Sequence, residues 1–535
     1  MAHYRSLLAI ALLAASLHIW AISRTLLPAQ DGLKFIRVAR QFQTDPWEDV
    51  IRGADVHPLY PALIATAEPV VAYFAGPGPD AWRIAGQVIA SLAAVGLLFP
   101  IYFLTRSLFD RRIAFLASGI LALLPRAAEM GHDTLADSLG LFTTFLALWL
   151  GARARRTADW RIAFGSGLAA GAGYLARPEV ILVPVAIGLT WLFGLGTQRE
   201  RSRIRGLIAL SMLFLATALM VVSYAAVKGE ISEKLAVRYA ASLGPQSILK
   251  RPVPQHVPRG LDDPRLDFSP KEEADQIPIR GWRSSATRIT GKWWEELCWG
   301  FAVMTVWGLV RRRYIRGLVS DCCPAEDAGV EGGLLLVFTG VYTVALLRHS
   351  TMLGYLSGRH VLALVIASIP WAAAGTYVCC RGIAVKLQWS GRWAQSARVA
   401  AMAIALVASI VTQMQPNHLN HLSRWGHWAA GRWLATNAGP GEEILDTRGW
   451  AKFISGRPGY DYWHVRQALT DAHLSYILVG LDELDAASAR SATLKALLAY
   501  SATPLVEFPA SPGDPSPAVR LYRFHRPVSW EGLAR

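Results

Sequence analysis

Charge is what this chain has least of. Only 17% of its 535 residues are Asp, Glu, Lys or Arg, while 53% are hydrophobic. A soluble globular chain carries about 25% charged residues, and the mean hydropathy here is +0.29. A soluble domain of this length is therefore excluded before any segment is inspected. Cysteine is scarce as well. The five are Cys298, Cys322, Cys323, Cys379 and Cys380, four of them in adjacent pairs without CxxC spacing or nearby histidines. That pattern supports neither a disulfide framework nor a zinc site. No internal repeat is evident. The net charge of +15 could suit nucleic acid, but the Lys and Arg residues cluster in short loops between apolar runs. No basic–aromatic stripe is present, so the charge reads as topogenic and no nucleic-acid partner is expected.

What is abundant is apolar runs. A helix crossing the hydrocarbon core needs roughly 20 apolar residues. About eleven runs qualify or nearly so: 7–27, 83–105, 113–130, 137–152, 162–176, 179–196, 205–227, 297–311, 332–348, 359–378 and 397–414. Every loop on the N-terminal side is basic. Examples are Arg106, Arg111 and Arg112, then Arg153, Arg155, Arg156 and Arg161, then Arg311, Arg312, Arg313 and Arg316. The positive-inside rule makes that side cytoplasmic and the N-terminus internal. The first run lacks a small-x-small cleavage site before Pro28 and reads as an uncleaved signal anchor.

The opposite face, periplasmic or extracellular for a protein of the plasma membrane, receives three long segments. Residues 28–82 hold two amphipathic stretches split by DPWEDV and HPLYP, which suit juxtamembrane helices. Residues 228–296 are polar and Pro-rich and close on GKWWEELCW. Residues 415–535 contain no apolar span and alternate helices with short strands at EEILDTRG, LSYILVGL, TPLVEF and AVRLYRF, a small α/β domain. The expected architecture is thus a polytopic α-helical membrane domain over 1–414 and an outer α/β domain over 415–535.

Ionisable residues on that face are the candidates for chemistry. Asp31 follows the first run, where an acid also suits the first turn of a helix. Glu129, His132, Asp133 and Asp137 crowd one tight connection, more than helix capping needs, and a charge carried to the bilayer centre costs about 2.5–3.5 kcal/mol. Pro178 and Glu179 suit a helix start, which leaves Arg177 without a structural task. Arg348, His349, Arg359 and His360 bracket another short loop, and Arg83 opens the second run. Arginines on the wrong side of the membrane, beside acids, point to an anionic ligand such as a phosphate. His57, in HPLYP, would ordinarily be a turn residue. Three acids, Asp31, Asp133 and Asp137, could hold a divalent cation only if the fold brings their loops together.

In order along the chain, these features resemble the glycosyltransferase-C superfamily, its protein O-mannosyltransferase and aminoarabinose-transferase branch in particular. The residues that carry the resemblance are QDGLKFIRVARQF, HPLYPALIA, the Arg83-led helix with its basic turn and a third helix ending in Pro125, TLADSLGLFTTFLALWL, GLAAGAGYLARPEVILVP, GYLSGRHVLALV and RWLATNAGPGEEILDTRGW. Two departures stand out: Gly32 where many members have Glu, and His360 where Tyr is common. The resemblance implies transfer of a sugar from a polyprenyl-phosphate donor to a protein, lipid or glycan, with no cofactor generally required in this branch. It places Asp31 as catalytic base and Asp137 as a second catalytic carboxylate that positions the acceptor or stabilises an oxocarbenium-like centre. Arg83, Arg177 and Arg359 would hold the phosphate, and His57, His132, Asp133 and His360 would line the substrate site. A transporter or flippase of a lipid-linked or anionic solute is the alternative, disfavoured by the missing repeat and the long outer domain.

Overall fold

The computed structural model describes residues 2–195, 200–231, 261, 266–268, 281–311, 315, 327–386, 421–530 and 533. The helices of the bundle are α1 (Ala2–Ser23), α5 (Pro79–Leu108), α6 (Arg111–Leu123), α7 (Pro125–His132), α8 (Asp137–Thr157), α9 (Trp160–Ala176), α10 (Leu182–Leu195), α11 (Glu200–Lys228), α13 (Trp299–Val310), α14 (Asp327–Leu353) and α15 (Gly358–Lys386). Between α1 and α5 lie α2 (Gln30–Thr44), α3 (Trp47–Gly53) and α4 (Leu59–Ala75), and α12 (Trp282–Glu296) precedes α13.

Five described helices are long and apolar enough to cross a membrane, or six if α6 and α7 count as one bent span. Helices α4 and α13 and the 178–193 helix are apolar but shorter. The expected run 397–414, Cys322 and Cys323 lie outside the described residues, as does most of 228–296. The chain is a multi-pass membrane protein whose helices expose apolar side chains such as Leu12, Ile19, Leu219 and Val222.

Two expectations are corrected. The single run 113–130 is two helices bent by 61°. Leu124 is extended (φ −67°, ψ 116°) because the ring of Pro125 excludes the helical region for the residue before it. The stretch 28–82 forms three helices: DPWEDV, read as a break, contains α3, which starts after Asp45-Pro46 ends α2.

Small residues let the bundle close. A Cβ built on Gly167 of α9 would stand 2.2 Å from the Leu213 carbonyl of α11. At the crossing of α13 and α15, Cβ atoms on Gly308 and Gly375 would meet backbone oxygens at 2.1 and 2.0 Å. Association inside a bilayer has no hydrophobic drive between helices, so close backbone packing of this kind carries it.

The C-terminal part comprises α16 (Trp425–Asn437), β1 (Glu443–Asp446), α17 (Trp450–Ser455), β2 (Gly459–Asp461), α18 (Val465–Thr470), β3 (Leu474–Gly480), α19 (Leu481–Asp485), α20 (Ala489–Ser501), β4 (Ala502–Pro509) and β5 (Pro517–Phe524). One five-stranded sheet results, in the order β2-β1-β3-β5-β4. Strands β2, β1 and β3 are parallel (Leu445 opposite Tyr460 and Ile477), and β5 runs antiparallel to both β3 and β4 (Leu521 opposite Leu478 and Val506). Four strands fall where the apolar alternation placed them. Strand β2, three residues of GYD, carries no such signal.

This α/β part packs directly on the bundle. Phe453 and Ile454 of α17 belong to the same apolar cluster as Leu33, Ile36 and Ala39 of α2, Tyr60 and Ile64 of α4, and Trp82 and Ala85 of α5. The guanidinium of Arg40 lies over both Phe453 and Trp82, 5.4 and 5.5 Å from the ring centres.

Candidate active site

The ends of α1, α7 and α9 and the starts of α2, α8 and α15 meet at one end of the bundle, and the charged residues gather there. Asp31 occupies the first turn of α2, but it does not cap it: the N-cap is Ala29, with no side-chain cap bond. Its carboxylate instead takes the guanidinium of Arg359, Nη1 to Oδ2 2.8 Å, and its side chain keeps 43% of its surface exposed. Asp137, at the start of α8, is 4% exposed. It likewise leaves the helix end uncapped and receives Nη1 of Arg177, whose Nη2 reaches Oε1 of Glu179 at 2.8 Å. Arg359 also lies within the electrostatic field of Asp137. Glu179, Arg177, Asp137, Arg359 and Asp31 therefore form an alternating array of charges across α8, α9, α2 and α15.

Burial alone would weaken the charged form of Arg177, but the Asp137 and Glu179 carboxylates more than reverse it, and its pKa stands well above the ordinary value. Arg177, which had no structural task in the sequence, is thus the bridge between two acids. Beside it a small cavity of about 30 Å³ is lined by Asp137, Arg177, Glu179, Tyr342 and Arg359 among others. That is room for a water or two.

Asp133 is buried at 2% exposure and belongs to a different network. Its Oδ1 accepts from the Ala29 N–H at 2.8 Å and the Thr134 N–H at 2.7 Å, and Oδ2 meets His421 Nε2 at 3.1 Å. Arg83 bonds Asp80, Gln87 and the Ile22 carbonyl, at 3.0, 2.9 and 3.4 Å, and so ties the end of α1 to α5. The His132 ring faces His18, with centroids 6.3 Å apart. His57 stacks on Tyr224 and meets Tyr174 edge-on, centroids 5.3 and 5.1 Å away. His360 accepts at Nδ1 from the Ser357 N–H (3.2 Å), and its carbonyl takes the Tyr342 hydroxyl (3.2 Å). Of the nine expected site residues the structure pairs Asp31 with Arg359 and Asp137 with Arg177, and Asp137, Arg177 and Arg359 line one cavity. His360 reaches that cavity only through Tyr342, and the other four find their partners elsewhere.

Sequence reasoning named Glu129 but missed the third cluster to which it belongs. Arg126 of α7 pairs with Glu129 (2.6 Å) and with the buried Glu296 of α12 (3.2 Å). A Cβ on Gly358 would sit 1.6 Å from Glu296 Oε1, so this cluster abuts the residue next to Arg359. Its only sequence signal was two acids and an arginine at ends of predicted helices. Gly32 also becomes intelligible. A Cβ there would lie 2.8 Å from the Thr134 carbonyl oxygen and 3.2 Å from Pro28 Cβ. The close approach of α2 to the 133–136 turn thus leaves no space for the Glu that the resemblance led one to expect there.

The three acids that could have shared a cation are dispersed onto Arg359, Arg177 and His421, and do not fit one. Among the described residues no group of three or more His, Cys, Asp or Glu side chains is placed to hold a metal ion.

The dolichyl-phosphate-mannose-protein mannosyltransferase family matches residues 68–225, from α4 into α11. Among solved structures, the Archaeoglobus fulgidus oligosaccharyltransferase in complex with Zn and sulfate superposes with a TM-score of 0.58 at 12% identity, over 97% of this chain and 73% of that one. The archaeal oligosaccharyltransferase AglB from the same organism, in complex with an inhibitory peptide and a dolichol-phosphate, gives 0.57 at 12%, over 94% and 72%. ArnT from Cupriavidus metallidurans in the apo state gives 0.52 at 11%, over 97% of each chain. These share a glycosyltransferase-C architecture. The chain has the glycosyltransferase-C fold. No curated protein sequence is similar enough to match.

Within this glycosyltransferase-C fold the family match spans Arg83, Asp137 and Arg177 but neither Asp31 nor Arg359. The charge array therefore joins the matched segment to Asp31 and Arg359, which lie on either side of it along the chain.

Proposed function

We propose that this protein transfers a sugar from a polyprenyl-phosphate donor to an acceptor at the outer face of the membrane, with residues 415–535 as an outer domain. The observation that carries the reading is the pairing of a half-exposed carboxylate, Asp31, with a guanidinium, Arg359, that lines the same cavity as the buried Asp137. The family match, described by a dolichyl-phosphate sugar donor, and the dolichol-phosphate in the AglB complex support a lipid phosphate as donor.

The chemistry follows from the charges. A phosphate competes with carboxylates for guanidinium forks. A donor phosphate arriving at Arg359 and Arg177 would exchange with Asp31 and Asp137, opening a cavity that otherwise has room only for water. Asp31, released next to the anomeric carbon, would accept the proton of the attacking acceptor group. Asp137 would stabilise positive charge developing on the sugar ring. The leaving polyprenyl phosphate departs as an anion, needs no general acid, and remains on the arginines. A single displacement inverts the anomeric carbon. Arg83, His57, His132, Asp133 and His360 would shape the surrounding framework.

Membranes containing the wild-type protein should transfer label from a polyprenyl-phosphate sugar, and Asp31→Asn should abolish that transfer at unchanged abundance. Normal transfer by both Asp31→Asn and Asp137→Asn would refute the site, and uptake of labelled lipid into vesicles without any transfer would support the transporter reading.

A further inference from the structure

The three residues before Gln30 and Asp31 are held from outside the helix they introduce. Arg424 Nη1 donates to the Leu27 carbonyl at 2.9 Å, and Trp450 Nε1 donates to the Pro28 carbonyl at 2.9 Å. The Ala29 N–H donates to Asp133, which His421 meets from the other side. Helix α2 itself offers no side-chain cap. Consecutive main-chain groups at 27, 28 and 29 are thus fixed by side chains, and three of the four residues involved, His421, Arg424 and Trp450, come from the C-terminal part, about 390 to 420 positions away along the chain.

These residues also brace one another. The Arg424 guanidinium lies over the Trp450 indole, 5.0 Å from its centre, and the ring of the buried His427 stands 5.1 Å away on the same indole. Gly449, at φ +81°, brings the backbone of this region against Leu33 of α2. The Gly32 backbone presses on Thr134 from the opposite side. The first turn of α2 is therefore wedged between the 133–136 turn and the start of α17.

We propose that Trp450 and Arg424 are positioning residues for the transfer reaction: the C-terminal α/β part sets where the Asp31 carboxylate stands by clamping the main chain at 27–29. The inference rests on the reading of Asp31 as the base. Its physical basis is that hydrogen-bond partners on three consecutive residues, two donors to carbonyls and one acceptor of an N–H, remove the freedom of the turn carrying the carboxylate. A displacement of about 1 Å at a reacting group can lower a rate on the order of a hundredfold.

Trp450→Phe tests it, because an aromatic ring remains against Arg424 and His427 while the N–H donor is lost together with part of the indole. The expected result is kcat lower by roughly ten- to a hundredfold, with KM for the lipid donor near wild type and any fall in abundance or thermal midpoint too small to account for the lost rate. Arg424→Lys should retain part of the rate that Arg424→Ala loses. In an Asp31→Glu background, whose displaced carboxylate no longer profits from the clamp, Trp450→Phe should add little further loss. Unchanged kcat in Trp450→Phe and Arg424→Ala, while Asp31→Asn is inactive, would overturn the clamp and leave the base in place. Equal losses in the wild-type and Asp31→Glu backgrounds would also overturn it, since Trp450 would then act elsewhere. Full activity of Asp31→Asn would instead sink the reading of Asp31 itself.

Discussion

Two charge networks lie within a few residues of each other at the end of α1, and they are built in opposite ways. Around Asp31, Arg359, Asp137, Arg177 and Glu179, side-chain charges bind one another, and Asp31 is partly open to solvent. Around Asp133, the buried carboxylate and Arg424 bond the main chain at 27, 29 and 134, and His421 meets the carboxylate from the other side. The second arrangement cannot exchange partners without releasing backbone, so it reads as framework. In the first, any anion that competes for a guanidinium frees a carboxylate. The contrast separates acids that crowd one short stretch of sequence into those that hold and those that could react.

Breaking the comparison at its reactive side should give the largest effect. Asp31→Asn should lower transfer by roughly 10²–10⁴-fold, the range of a lost general base, while the thermal midpoint of the purified protein stays near wild type. On the framework side the pattern should invert. Asp133→Asn should cost roughly 1.5–3 kcal/mol of stability, the range for hydrogen bonds to a charged group, read as a fall in unfolding midpoint in detergent.

The pH dependence sharpens the same point. Burial alone would raise the Asp133 pKa, but His421, the Ala29 N–H and Arg424 pull it below the ordinary carboxylate value. A depressed folded-state pKa means that this stabilisation is present above the unfolded value, about 4, and fades as pH falls through the folded one. The gap in midpoint between wild type and Asp133→Asn should therefore not narrow between pH 7 and pH 5, and should shrink only in stronger acid. A gap that closes between pH 7 and pH 5 would contradict the assignment.

Smaller effects test the arginines. Arg359→Lys keeps the charge but loses the planar fork, and should raise KM for the lipid donor by about tenfold, roughly 1.4 kcal/mol of binding. An unchanged KM with a lowered kcat would place Arg359 away from the donor phosphate. Least of all should follow from Arg37→Ala, which removes exposed pairs with Asp55 (3.1 Å) and Asp461 (3.9 Å). Exposed pairs contribute about 0.2–1 kcal/mol, so neither midpoint nor rate should move appreciably.

Much of this was open to reading because it is local. A run of apolar residues declares a membrane helix by itself, and alternation at 443–446, 474–480, 502–509 and 517–524 declares strands. Arg177 and Arg359 were conspicuous because they break the charge bias of their loops. The break at Pro125 was also local, yet the hydropathy of 113–130 concealed it, since proline changes the path of the chain without changing its apolar character. Glu296 and Arg126 escaped because neither departs from its surroundings until α12 meets α7 and Gly358 closes over them.

What sequence alone determined is what one segment can determine: membrane class, the approximate positions of helices and strands, and a list of ionisable residues too costly to be idle near hydrocarbon. It could not divide that list. Asp31, Asp133 and Asp137 are chemically alike, and what distinguishes them is whether the nearest cation or N–H comes from a helix end, a backbone turn or a side chain hundreds of residues away. Partner choice of that kind is a property of distance in space. Only the packing of α17 on α2, and of α15 beside α8 and α9, decided it.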